Sequence, residues 1–221
     1  MVSEPAKIVS VSTPWAVIRA LVGADGTATH PLSAVLRRPL IPARDVADVV
    51  HAWCLLHGRL PGVIDHALAH DHHPAALAWL ETATTGFATE RAFLAKLASA
   101  GGPLPSTPGH AESENTIAAQ RHAVNMLAQS DRAGCAIGAA IALVMDWAAV
   151  RLILDAAATR FGVDSPACTL PGDAATAAMV SAIDRTPAIE RAISFAVQQM
   201  LAQHRGLWDL LDARASAREP L

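Results

Sequence analysis

Four residues of this chain combine an ionisable side chain with helix neighbours that are otherwise apolar: His57, Glu90, Asp146 and His204. In a helix, positions three, four and seven apart share a face. For His57 that face carries Val50, Trp53, Cys54, Leu60, Pro61 and Ile64, and for Glu90 it carries Ala83, Gly86, Phe87, Phe93, Leu94 and Leu97. Asp146 is flanked by Ala139, Ala142, Leu143, Ala149, Val150 and Ile153, and His204 by Val197, Met200, Leu201, Leu207, Trp208 and Leu211. A buried acid or imidazole is costly unless it is hydrogen-bonded, paired or bound to a metal. These four therefore form the candidate site.

Two imidazoles and two carboxylates suit a first-row transition metal, with iron, zinc and manganese as candidates. In that reading His57, Glu90, Asp146 and His204 are ligands, and Glu90 and Asp146 double as candidate catalytic bases. The Glu-x-x-His pairs of ferritin-like di-metal bundles are absent, because Phe93 follows Glu90 and Ile193 follows Glu190 at that spacing. A mononuclear site is what remains. A competing reading gives the same residues no chemistry: carboxylates and imidazoles satisfy one another in the core and fix helix register, in a non-catalytic structural or interaction protein. A third lets the core take up a small apolar ligand.

Six of the ten histidines fall between 51 and 73, including His66, His70, His72 and His73, which resemble a metal cluster by spacing alone. On one continuous helix, His66 and His70 lie opposite the His57 face, beside Asp48 and Arg59, and are expected on the surface. His30 and His110 fall in loops and His122 on an exposed face. Cys54, Cys135 and Cys168 are odd in number and lack CxxC spacing, so they read as reduced thiols, with Cys135 buried and inert. No Ser/His/Asp signature, glycine-rich phosphate loop or HExxH stands in the chain.

The elements that must carry these residues are helical. The 221-residue chain is 52% hydrophobic and only 17% charged, rich in alanine and devoid of tyrosine, a composition that favours helices over sheets. The net charge of −3, without a basic run, argues against a nucleic-acid partner. Lysine is scarce beside arginine and alanine abounds, the mark of a GC-rich, bacterial gene. No signal-like segment is evident, and the uncharged run from Ala133 to Met145 is shorter than the roughly 20 residues a bilayer requires. A soluble cytoplasmic protein without a membrane partner is expected.

Proline, glycine and capping residues then divide the chain. The pattern predicts an all-α fold whose core is a four-helix bundle of residues 45–70 (kinked at Pro61-Gly62), 74–100, 131–161 and 187–215. Short helices at 14–22, 31–38, 112–129 and 174–185 are additions. Residues 1–42 form an N-terminal arm packed on a single helical body, 43–221. The 131–161 helix is apolar nearly all round and is expected to be the most buried, with Gly134, Gly138, Ala142 and Ala149 admitting a close neighbour. At 1.5 Å per residue, His57 and Glu90 lie roughly 20 and 24 Å from the turn joining their helices, so the four inward residues can share one layer. Exposed parts of 112–129 or the arm would supply a homodimer surface.

Overall fold

A computed structural model of the chain describes residues 13–38, 41–70, 73–104, 109–183 and 186–218. The structure is 80% helical, and no strand occurs among the described residues. The helices are α1 (Pro14–Asp25), α2 (Pro31–Leu36), α3 (Ala43–His57), α4 (Val63–His70), α5 (Pro74–Ala100), α6 (His110–Ala128), α7 (Cys135–Phe161), α8 (Asp173–Ala182) and α9 (Pro187–Ser216), with a 3-10 turn at Thr27–Thr29.

Four of these helices begin in one way. Proline occupies the first helical position of α1, α2, α5 and α9, where its missing N–H costs nothing. The residue before each proline caps the free amides: Thr13, His30, His73 and Thr186 accept hydrogen bonds from Ala16, Leu32, Ala75 and Ile189. Two histidines of the chain are thus helix caps. The opposite device ends α7, where Gly162 takes a left-handed conformation, φ +67°, and its N–H bonds the Ala158 carbonyl.

The expected 45–70 helix is two helices. Gly58 closes α3 by donating to the Cys54 carbonyl, and the chain turns through a cis Leu60–Pro61 bond before α4 starts at Val63. Proline and two glycines within five positions leave too few ladder bonds to carry one helix through. Architecture follows suit and is broader than a four-helix bundle. The helix α6, expected as an addition, packs against α3, α4, α7 and α9, and α4 packs against α5, α6 and α7. Residues 1–12 and 39–40 of the expected arm lie outside the described residues; α1 packs on α8 and α9, and the 3-10 turn on α7.

At the centre is α7, against which α9 makes the most extensive helix contact. Eighteen of its residues are buried. By length and composition this helix could cross a bilayer, with a mean hydropathy of 1.9, but 78% of that apolar stretch is buried inside the protein. This is the burial of a core helix, consistent with a soluble protein. Small residues bring α9 close: a Cβ added at Gly138 would stand 2.8 Å from the Ile193 carbonyl oxygen. Glycine is required there because backbone occupies the space of a side chain.

Candidate functional site

All four inward residues are buried, with His57 4%, Glu90 0%, Asp146 2% and His204 0% exposed. They divide into two hydrogen-bonded groups. In the first, His204 on α9 and Asp146 on α7 meet at 2.7 Å between Nδ1 and Oδ2. The other ring nitrogen of His204, Nε2, faces Nε2 of His57 on α3 at 3.0 Å. The 3-10 turn completes the chain: Thr27 donates its backbone N–H to Asp146 Oδ1 at 2.6 Å and its hydroxyl to Oδ2 at 2.7 Å. Trp208 in turn donates its indole N–H to the Thr27 hydroxyl at 2.9 Å.

These donors define the proton arrangement. Thr27 Oγ1 accepts from Trp208 and so donates to Asp146, which accepts throughout and is a carboxylate. His204 must therefore carry a proton on Nδ1. One further proton sits between the two Nε2 atoms, on His57 or on His204. The result is a hydrogen-bonded chain that links a fixed anion to the His57 ring, with Asp146 holding the His204 tautomer. Burial works against the Asp146 charge, but bonds from His204 and Thr27 outweigh it and hold the carboxyl below its ordinary pKa. For His57, burial comes first, with His204 and Arg91 acting the same way, and together they hold the imidazole well below its usual pKa.

Gly26 makes the Thr27 contact attainable. A Cβ at that position would stand 2.8 Å from Asp146 Oδ1 and 2.5 Å from the Val22 carbonyl, where no atom fits. Around the imidazoles lies an aromatic wall: Trp53 stacks on His57 at 5.7 Å between centroids and meets His204 edge-on at 4.9 Å. The Trp53 indole N–H is buried without a hydrogen-bond partner.

Glu90 belongs to the second group. Its carboxylate accepts from the Trp147 indole at 2.9 Å and from Arg151 at 2.6 Å, both on α7. Arg151 also binds Asp155 at 2.8 Å, Ser165 at 2.8 Å and the Pro166 carbonyl, so one buried guanidinium ties α5 and α7 to the 163–172 loop. Trp147 joins the two groups, meeting His57 edge-on at 6.1 Å. Among the described residues, no set of three or more His, Cys, Asp and Glu is placed to hold a metal ion.

Several residues sit elsewhere than the sequence led one to expect. Asp48, opposite His57 on the unbroken α3, is buried because Arg214 and Arg218 cover that side, each at 2.8 Å. His66 is half-buried and bonds Gln129, whereas His70 is exposed; His72 lies outside the described residues. His30 is buried, reaching Asp209 at 3.1 Å, and His110 opens α6. Thr27 and Arg151 were not legible as site residues: one lies in a three-residue turn, the other reaches inward from a polar side of α7.

One end of the first group lies beside a surface cavity. His57 is the last residue of α3 and lines a cavity of about 160 Å³ at the α3–α4 corner, with Arg59, Gly62, Arg121 and Asn125. The molecule is thus an all-α protein with a buried Asp–His–His chain whose last residue, His57, is among those lining a surface pocket. It belongs to the family of unknown function DUF6975, whose sequence model matches residues 22–219, from within α1 to beyond α9. No curated protein matches the chain. No solved structure matches it either.

Proposed function

We propose that the α3–α4 corner is a small-ligand site in which His57 shares a proton with the molecule that enters. The observation that carries this is connectivity. Of the four inward residues read from the sequence, His57 both lines a cavity and ends the hydrogen-bonded chain anchored by Asp146. A neutral imidazole at the base of a pocket accepts a proton from a ligand, or donates a hydrogen bond to it, and the His204–Asp146 pair compensates the charge that results. A purely structural role is favoured by one further observation, that Asp146 and Glu90 are fully engaged by protein donors.

Imidazole-selective nitrogen NMR on the full chain separates the two. Compounds from a general fragment library that bind should move the His57 and His204 ring resonances, and Asn125→Trp, which fills the cavity, should abolish the response. A library whose binders leave both rings unmoved, or move them equally in Asn125→Trp, overturns the ligand-site reading.

A further inference from the structure

Resting on that reading of the α3–α4 corner, we infer that the ligand it takes is a small organic oxyanion, a carboxylate or phosphate held by Arg59 and Arg121 beside His57. The lining contains two guanidinium groups and no carboxylate. Arg59 is exposed and Arg121 half-buried, and among the described residues neither forms an ion pair. The Arg121 contact within the protein is a long one, 3.4 Å to the Leu55 carbonyl. Arg91 near the same corner is differently placed, because Asp65 binds it through both carboxylate oxygens at 2.8 and 3.2 Å. Two unpaired guanidiniums at the mouth of a concave site make a positive field that an anion relieves, and their forked donors fit the paired oxygens of carboxylate or phosphate. Asn125 adds a neutral side chain that donates and accepts.

Size sets the ligand class. A cavity of roughly 150 Å³ holds a benzene-sized molecule. The 160 Å³ here therefore admits a short organic acid or the phosphate end of a larger ester, and excludes a nucleotide or cofactor from full enclosure.

The test is a titration of the full chain at low ionic strength, read by calorimetry and by the His57 ring resonances. The probes are butyrate, inorganic phosphate and butyramide, the last an uncharged isostere of the first. At least one anion should bind and move His57, and butyramide should bind about tenfold more weakly or not at all. Arg121→Gln and Arg59→Gln should each weaken the anion about tenfold, whereas Arg160→Gln, exposed near the end of α7, should not. An unchanged melting temperature shows that the variants fold. Butyrate over phosphate assigns the carboxylate class, and the reverse assigns the phosphate class. Binding indifferent to charge and to both arginines, with uncharged fragments still moving His57, overturns the oxyanion and leaves the ligand site standing. No anion response together with no fragment response overturns both.

Discussion

His204 bonds Asp146 at 2.7 Å across the α7–α9 contact, with neither side chain more than 1% exposed. In such a place water cannot take over when a partner is removed. Asp146→Ala is expected to cost about 3 kcal/mol in denaturant unfolding, because His204 and the Thr27 donors are left buried and unpaired. Asp146→Leu combined with His204→Leu should cost less than the sum of the two single changes. Additive losses would show that the two side chains are not coupled.

Acid should reveal His57. In the unfolded chain an imidazole takes its proton near pH 6.5, whereas burial, His204 and Arg91 lower that value in the folded protein. Below about pH 6.5 the unfolded state then binds more protons, so stability falls as pH falls. Asp146 works in the same direction further down: its contribution is present above the ordinary carboxylate value and is lost as pH drops through the depressed folded value. His57→Gln should flatten the stability profile just below pH 6.5 and leave the more acidic loss in place. A profile unchanged by the substitution would exclude His57 as the source.

Arg151 should behave as a clamp on the 163–172 loop. Arg151→Ala leaves Glu90 buried without its cationic partner and frees the contacts to Ser165 and Pro166. A loss of about 3 kcal/mol is expected, with faster amide exchange in residues 163–172 than elsewhere. Uniform acceleration over the whole chain would mean that the loop is held by other contacts.

Two glycines should respond oppositely to a methyl group. Gly138→Ala drives a Cβ into the Ile193 backbone of α9 and should destabilise by about 1–3 kcal/mol. Gly23→Ala, within α1 and with no atom inside 4 Å of the new Cβ, should stabilise by about 0.5 kcal/mol. Thermal unfolding of both variants measures the contrast, and a tolerated Gly138→Ala would show that the helices can separate without loss.

Much of this was legible in the sequence, and the rest had identifiable obstacles. Pro74 with Gly101, and Pro187 after Thr186, mark α5 and the start of α9 because proline and glycine act locally. The inward positions of Glu90, Asp146 and His204 followed from helical phase, which holds inside an unbroken helix. His57 was found on the same argument, but its depth was reckoned along one long helix, whereas it ends α3 at a corner. Helical phase puts Asp48 opposite His57 on α3, but nothing local shows that Arg214 and Arg218 bury that side. Partner identity was the harder matter. Thr27 reaches Asp146 across 119 residues of sequence, and Arg151 pairs with Glu90 across 61, and neither separation carries a local signal.

The 3-10 turn that brings Thr27 to Asp146 has a consequence for how the chain finds its fold. Thr27, His57, Asp146 and His204 come from four widely separated stretches, and their dipoles are satisfied only when all four have arrived. A near-native arrangement with one helix slipped by a turn would keep most of its oily contacts yet strand polar groups in a dry interior. An alanine-rich chain, whose smooth helices offer many almost equivalent ways to nest, thus has a built-in check on assembly: mismatched versions are penalised at a single central point, and the gap between the correct fold and its imitators widens.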